Sequence, residues 1–262
     1  MPDSAPILDV RGFTKSYHTT LAVADLSFSL HPGEILALVG PNGAGKTTTM
    51  RCIAGVIPPT QGQILVGGFD VRAKPVNAKK RLAYVPDDPH LFDALTVREH
   101  LAFFAGAYEV DAWEPKADAL LDRFEMRDHA DKYASDLSRG MRQKAAVCAA
   151  LLHNPTLIML DEPLTGLDPR GIRTMKQIIR ERANAGAGII ISSHLLALVE
   201  DLCVSLLILS QGRLVFRGDV AQARQAYAAQ SDASLEDVFF SATEGPAPTP
   251  APPTTPTQAG AE

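Results

Sequence analysis

The feature that most constrains this chain is a glycine-rich segment that directly follows a short apolar run. Residues 35–39 read Ile-Leu-Ala-Leu-Val, and residues 40–47 read Gly-Pro-Asn-Gly-Ala-Gly-Lys-Thr. The second segment fills every fixed position of G-x-x-x-x-G-K-[ST], and a helical run over 47–54 follows it. A Gly-rich turn between a strand and a helix is the plain alternative, but the Lys-Thr pair and both flanks favour a phosphate-binding loop, or P-loop.

The residue types in this loop suit the binding of a nucleotide. Glycines let backbone N–H groups approach phosphate oxygens without a Cβ clash, and the helix that begins there directs its positive end toward the same anion. Lys46 can neutralise charge on the β and γ phosphates, and the Thr47 hydroxyl can bind Mg²⁺. The predicted loop contacts with ATP are Gly40, Pro41, Asn42, Gly43, Ala44, Gly45, Lys46, Thr47 and Thr48.

Acidic and histidine residues follow two further apolar runs. Asp161 and Glu162 come directly after the run 157–160. Beside a P-loop, Asp161 can hold Mg²⁺ through water, and Glu162 can polarise the attacking water as a general base. His194 follows the run 189–191 and is predicted to contact the γ phosphate. Without the P-loop, these residues would be an ordinary acidic turn and an ordinary surface histidine.

Hydrophobic patterning predicts an α/β fold with a P-loop, RecA-like core. Continuous apolar runs of strand length suit a parallel or mixed sheet that is buried on both faces. The alternating segment Ile7–Leu30, with Gly62–Val71, predicts an N-terminal antiparallel β subdomain. The four apolar runs are 35–39, 157–160, 189–191 and 206–209.

A helical segment interrupts this α/β pattern. Apolar residues recur at helical spacing between Leu95 and Leu152, and Thr96 with Glu99 forms a capping box at its start. We therefore predict one domain over residues 1–242, with an inserted helical subdomain over about 90–155. Residues 243–262 are rich in Pro, Ala and Thr and lack Lys and Arg, which predicts a disordered tail.

Composition excludes several classes of protein. No run approaches the ~20 apolar residues of a membrane helix, and the start of the chain lacks a signal-peptide pattern. We therefore expect a cytoplasmic protein whose membrane role comes through a partner. The net charge of −5 argues against nucleic acid as that partner. Cys52, Cys148 and Cys203 lie far apart and are expected to be buried thiols.

The order of these motifs resembles that of the ATP-binding subunits of ABC transporters. The resemblance covers about residues 7–240, and its distinguishing element is the sequence LSRGM shortly before a helix. A P-loop protein of another family would not carry that element some twenty residues before its acidic strand. In chain order, the matching residues are Tyr17, Gly40–Thr47, Leu137–Met141, Asp161–Glu162, Leu167–Asp168 and His194.

The resemblance implies a head-to-tail dimer, either of two identical chains or of this chain with a related ATPase chain. Ser138 and Gly140 would contact the γ phosphate of the ATP that the partner binds, in agreement with the anion preference of a helix N-terminus. Tyr17 would stack on adenine, although a strand-edge aromatic that packs on the core is the alternative. The helical subdomain would meet a separate transmembrane permease subunit. The ending Ser234–Phe239 resembles that of the exporter branch.

Two motifs depart from the family pattern. Asp87 stands where the family usually has a Gln, and Arg139 replaces a Gly of the LSGGQ-like signature, in which Met141 also replaces a Gln. Asp87 can still bind Mg²⁺, but it is shorter than Gln and brings charge close to the phosphates. Arg139 either adds positive charge near the nucleotide or points to solvent. We expect altered coupling or slower turnover, with binding retained.

Three functions compete at this point. The leading one is an ATPase that energises transport, with export as the favoured direction, at the inner face of the cell membrane. A soluble relative that acts on ribosomes or DNA is disfavoured by the single cassette, the lack of a heptad run and the net acidity. A regulatory module without turnover is disfavoured by the presence of Glu162, although Asp87 leaves it open.

Overall fold

A computed structural model describes residues 5–194, 196–227 and 234–244. Within these ranges the strands belong to two sheets, and α1 packs between them. The strands are β1 (Leu8–Tyr17), β2 (Thr20–Leu30), β3 (Ile35–Val39), β4 (Gln61–Val66), β5 (Phe69–Asp70), β6 (Leu82–Val85), β7 (Leu157–Asp161), β8 (Gly188–Ser192), β9 (Ser205–Ser210) and β10 (Arg213–Asp219). The helices are α1 (Lys46–Ile53), α2 (Pro75–Lys79), α3 (Val97–Ala107), α4 (Trp113–Arg123), α5 (Arg139–Leu151), α6 (Pro169–Asn184), α7 (Leu196–Val199), α8 (Val220–Tyr227) and α9 (Leu235–Glu244).

The larger sheet has the strand order β10-β9-β3-β8-β7-β6, and β10 is its antiparallel strand. Every residue of β3, β7 and β8 is buried. In β3, Ile35, Ala37 and Val39 face the core beneath the helical segment, whereas Leu36 and Leu38 face the core against the smaller sheet. Burial on both faces explains why the apolar runs are continuous. The predicted strands are confirmed.

The smaller sheet is antiparallel, in the order β2-β1-β4-β5. Its strands β1 and β4 come close at two glycines, because a Cβ on Gly62 would lie 2.3 Å from the Gly12 carbonyl oxygen. The β1–β2 hairpin closes where Tyr17 pairs with Thr20. Ala22, two residues further along β2, lies close to the P-loop, since its carbonyl would meet a Cβ on Gly45. The predicted antiparallel β subdomain is confirmed.

The chain between β6 and β7 is largely helical, and we call residues 97–151 the helical insert. It contains α3, α4 and α5, with short 3₁₀ turns at 127–129 and 134–136. The capping box at α3 is present: Glu99 N–H donates to Thr96 Oγ1 (3.2 Å), and Thr96 N–H donates to Glu99 Oε2 (2.8 Å). Helix α5 begins after Ser138, whose Oγ accepts from Met141 N–H (3.3 Å).

The remaining sequence predictions concern the surface and the end of the chain. In the described part of the chain, no helix is both long and apolar enough to cross a membrane. The three cysteines are buried thiols as predicted, and burial raises the pKa of Cys52 to about 11. Helix α9 includes Thr243 and Glu244, the first residues of the predicted tail. The rest of that tail, 245–262, lies outside the described residues.

Candidate nucleotide-binding site

Parallel strands bring the predicted site residues to one edge of the larger sheet. The carboxyl ends of β3, β7 and β8 lie at this edge, because the three strands are adjacent and parallel. The P-loop follows β3, Asp161 ends β7, and His194 lies two residues beyond β8. Ligands of open α/β sheets bind at this end of the strands.

Backbone geometry sets the shape of the P-loop. Gly45 has a φ of 101°, and a Cβ there would lie 2.7 Å from the Ala22 carbonyl oxygen. A Cβ on Gly40 would lie 2.4 Å from the Leu209 carbonyl oxygen. Both positions therefore require glycine, and α1 can begin directly after Gly45, with its first N–H groups directed into the loop.

Lys46 folds back across this loop. Its Nζ donates to the carbonyl oxygens of Gly40 (2.6 Å) and Pro41 (3.1 Å). Burial lowers the pKa of Lys46, while the charges of Glu162 and Asp161 act in the opposite direction. An anion in the loop would find a partly desolvated ammonium group whose hydrogen-bond partners are exchangeable carbonyls.

Asp161 and Thr47 form a pair of oxygen donors next to the loop. Thr47 Oγ1 donates to Asp161 Oδ2 (3.2 Å), and Asp161 is 4% exposed. Burial raises the pKa of Asp161, and the carboxylates of Glu162 and Asp87 add to that effect. A buried carboxylate beside a hydroxyl suits Mg²⁺, which usually binds one or two carboxylates together with phosphate and water oxygens. Among the described residues, no group of three His, Cys, Asp or Glu is placed to hold a metal ion.

Glu162 is held at the end of β7 by the loop that follows β8. Its carboxylate accepts from Ser193 Oγ (3.2 Å) and His194 N–H (2.9 Å), and it lies 2.8 Å from His194 Nδ1. The Glu162 backbone has a φ of 50°, a strained conformation for a non-glycine residue. Seven other described non-glycine residues also have a positive φ, so the contacts with Ser193 and His194, and not the torsion, distinguish Glu162. The two predicted catalytic residues are therefore in contact.

Two cavities adjoin the P-loop. One, of about 200 Å³, is lined by loop and α1 residues together with Ala22 of β2. The other, of about 280 Å³, lies between the start of the loop, His194 and the last helix, α9. Asn42 lines both cavities, and they therefore adjoin each other. Tyr17 lies at the end of β1, is 43% exposed, and has Lys15 Nζ 4.9 Å from its ring centroid.

The signature residues lie on the helical insert. Within the part of the chain that the structure describes, neither Ser138 nor Gly140 lines the P-loop cavity. Gly140 packs tightly on the segment before α6, because a Cβ there would lie 2.5 Å from the Gly166 carbonyl oxygen. Asp87 follows β6, and its Oδ1 lies 2.6 Å from Arg139 Nη2.

Some residues of this region were not predicted from the sequence. Lys144, on α5, lies 3.0 Å from Asp168 and lowers the pKa of that carboxyl through their hydrogen bond. Ser193 donates to Glu162. Each of them lies within a few residues of a predicted motif, but the contact it makes is long-range. The local sequence therefore gave no signal for either one.

Known proteins similar to this chain identify its family. The model of the ABC transporter family matches residues 23–165. The ABC-type transporter ATP-binding protein EcsA of Bacillus subtilis (strain 168) is 34% identical over 240 residues, 91% of this chain and 97% of EcsA. The Nod factor export ATP-binding protein I of Burkholderia thailandensis is 36% identical over 216 residues, 82% of this chain and 71% of that protein. A solved structure of an ATP-binding subunit of an ABC transporter has a TM-score of 0.86 and 33% identity, and covers 90% of this chain and 99% of that one.

The fold and the P-loop define a nucleotide-binding protein of the P-loop class. Within that class, this chain belongs to the ABC transporter family as an ATP-binding subunit. Members of this family are ATPases whose activity is coupled to transport, and they generally require Mg²⁺. They act together with membrane-spanning subunits. The family and the fold class predicted from the motifs are therefore confirmed.

Proposed function

We propose that two ATPase chains, either two copies of this chain or this chain and a relative, bind two ATP molecules between them and power export through a separate membrane-spanning subunit. One observation carries the proposal. The loop, metal and base residues meet at one sheet edge, while Ser138 and Gly140 lie on the helical insert outside the P-loop cavity. A second chain in head-to-tail orientation would supply the missing Ser and Gly.

Each residue of the sheet edge has a chemical task in this proposal. Lys46 and the N–H groups at the start of α1 bind the β and γ phosphates, while Tyr17 stacks on adenine. Thr47 and Asp161 hold Mg²⁺, which would neutralise charge that develops on the phosphates. Glu162 orients and polarises the attacking water. His194, in contact with Glu162, binds the γ phosphate and holds the base in position.

The coupling surface in this proposal lies at the start of the helical insert and on the segment that leads into it from β6. Phe92 and Phe103 are 55% and 51% exposed, and their rings pack edge to face with centroids 5.3 Å apart. His100 anchors this pair, because its Nε2 accepts from Phe92 N–H (2.6 Å) while its Nδ1 lies 3.1 Å from the Thr96 carbonyl oxygen. An exposed but fixed aromatic pair suits contact with a membrane subunit.

Export is the direction that the relatives favour. The Burkholderia protein is named for Nod factor export, and the ending Ser234–Phe239 of this chain resembles that of the exporter branch. A transport subunit of this kind would act in the cytoplasm, at the inner face of the cell membrane.

The decisive experiment compares the wild-type protein with Glu162→Gln. The substitution keeps the size of the side chain and removes the basic carboxylate. We expect ATP turnover to fall by about 10²- to 10⁴-fold, as the loss of a general base predicts. We also expect the variant to form an ATP-dependent dimer, measured by light scattering, since both phosphate-binding halves stay intact.

The control is Lys46→Ala, which removes a phosphate contact and should abolish both turnover and dimer formation. If Glu162→Gln hydrolyses ATP at the wild-type rate, Glu162 is not the base. If wild-type protein neither hydrolyses ATP nor dimerises, alone or with a membrane subunit encoded beside it, the proposal is wrong.

A further inference from the structure

The two departures from the family pattern contact each other. Asp87 and Arg139 are 52 residues apart in sequence, yet Arg139 Nη2 donates to Asp87 Oδ1 over 2.6 Å. We propose that Arg139 is a positioning residue that neutralises Asp87, so that the pair together replaces the neutral side chain expected at position 87. This inference rests on the proposed function, because it concerns how the site hydrolyses ATP.

Asp87 lies at the same sheet edge as the proposed metal-binding carboxylate. It follows β6, which pairs in parallel with β7, the strand that ends at Asp161. An unpaired acid at position 87 would therefore add repulsion where the triphosphate must bind. Arg139 supplies a compensating positive charge at hydrogen-bond distance, and this lessens the repulsion.

Arg139 itself stands in an unfavourable place without Asp87. It is the first residue of α5, and a cation at a helix N-terminus opposes the helix dipole. The first turn, Arg139-Gly140-Met141-Arg142, contains no acid. Asp87 supplies that acid from another part of the chain. The ion pair thus compensates the negative charge of Asp87 and the positive charge of Arg139.

The pair also crosses a boundary within the molecule. Asp87 follows β6 of the larger sheet, whereas Arg139 begins the last helix of the helical insert. The Arg139 side chain passes the segment before α6, because a Cβ on Gly166 would lie 3.6 Å from Arg139 Cδ. Its hydrogen bond with Asp87 therefore fixes the start of α5, including Ser138 and Gly140, relative to the sheet edge.

The exposure of the pair sets its strength. The side chains of Arg139 and Asp87 are 47% and 50% exposed, and exposed ion pairs stabilise a fold only weakly. Such a pair contributes little to folding, but it can bias the position of the start of α5 relative to the sheet. The inference therefore predicts a clear effect on turnover with a small effect on stability.

The test is a double-mutant cycle on ATP turnover with Asp87→Gln, Arg139→Gly and the double variant. Each single variant leaves one charge unpaired, and we expect kcat to fall about three- to tenfold. The double variant has the residues usual in the family and should recover to within about twofold of wild type. Arg139→Lys keeps the charge and should retain most of the activity. Arg139→Gln in place of Arg139→Gly controls for the added flexibility of glycine.

The matched control is an exposed ion pair that also links the helical insert to the core. Arg123 donates to Glu181 through two hydrogen bonds of 2.7 and 3.0 Å, away from the P-loop. Arg123→Gln and Glu181→Gln should change turnover by less than about twofold, alone or together. A loss as large as that of the Asp87 and Arg139 single variants would mean that any such link matters, and would overturn the special role of Asp87 and Arg139.

Further outcomes separate this inference from its alternatives. If Asp87→Gln has the same effect whether position 139 is Arg or Gly, Asp87 acts directly on Mg²⁺ and the inference is wrong. If Asp87→Gln shifts the Mg²⁺ dependence of turnover equally with and without Arg139→Gly, the inference is wrong for the same reason. If the wild type shows no turnover, the cycle is repeated on ATP-dependent dimerisation of Glu162→Gln, where the same non-additivity is expected and additivity refutes the inference.

Discussion

The P-loop side of the molecule and the helical insert, the two proposed phosphate-binding regions, are held in shape by different structural means. The P-loop depends on backbone shape, since Gly40 and Gly45 occupy positions that admit no Cβ. On the insert, Gly140 likewise admits no Cβ, but ion pairs also tie the start of α5 to the core, namely Arg139 with Asp87 and Lys144 with Asp168. Backbone shape is fixed once the sheet folds, whereas ion pairs can form and break. The P-loop is therefore the preformed half of the proposed site, and the insert is its adjustable half.

The largest effect should come from Gly45→Ala. A Cβ at a φ of 101°, 2.7 Å from the Ala22 carbonyl oxygen, would displace the loop. Strain of about 3 kcal/mol would weaken ATP binding by about 100-fold or more. Titration with a fluorescent ATP analogue measures this loss.

Gly68→Ala is the matched control for Gly45→Ala. Gly68 has a φ of 79° in the turn between β4 and β5, and nothing lies within 4 Å of the added Cβ. This variant imposes comparable backbone strain away from the loop and should lower thermal stability without weakening ATP binding. Equal losses of ATP affinity in the two variants would show that the loop is not specifically preformed.

Asp161→Asn should separate stability from activity on the P-loop side. Turnover should fall by about 100-fold or more. The substitution removes the negative charge of the carboxylate that would hold the metal ion bound to the transferred phosphate. The nucleotide-free variant should nevertheless melt a few degrees higher at pH 7.5. The folded protein holds Asp161 at a raised pKa, so its ionisation costs stability, and the neutral amide avoids that cost.

The pH dependence checks this explanation. The penalty is fully present above the raised pKa, shrinks as the pH falls through it, and is gone below the ordinary value of 3.8. The difference in Tm between Asp161→Asn and wild type should therefore narrow as the pH is lowered from 7.5. A variant that melts below the wild type at every pH would contradict the explanation.

The smallest effect should come from Lys144→Gln on the insert side. Lys144 is mostly buried but Asp168 is half exposed, so the loss in stability should stay below about 1 kcal/mol. Turnover should fall about threefold, since the segment from Gly166 to Asp168 is held less firmly against α5. Calorimetry and a steady-state ATPase assay measure the two effects. A loss comparable to that of Gly45→Ala would mean that the insert is as rigidly preformed as the P-loop.

The same contrast explains what the sequence could predict. The strands and the P-loop were predictable because burial on both faces leaves continuous apolar runs and because glycines mark the loop. The capping box at Thr96 was predictable from residues three apart. Patterns of this kind involve residues that lie close together in the sequence.

The unpredicted contacts depend on tertiary folding. Arg139 was expected either near the nucleotide or in solvent, but it pairs with Asp87, and no local pattern joins two residues 52 positions apart. The hydrogen bonds that the loop after β8 donates to Glu162 depend on the pairing of β7 with β8, two strands that are distant in sequence. The roles of Tyr17, Ser138 and Gly140 came from the family resemblance and remain predictions.

The backbone conformation of Glu162 affects how related chains can evolve at this position. A non-glycine residue at a φ of 50° costs about 1–2 kcal/mol, which glycine would largely avoid. Glu109 and Glu125 have similar φ values of 56° and 55°, so the torsion alone does not favour glutamate; at position 162 the contacts of the carboxylate with Ser193 and His194 do. In a related chain that no longer hydrolysed ATP, substitution of this glutamate by glycine or asparagine would be tolerated. The residue type found at this strained position would then report whether ATP hydrolysis is still under selection in a related chain.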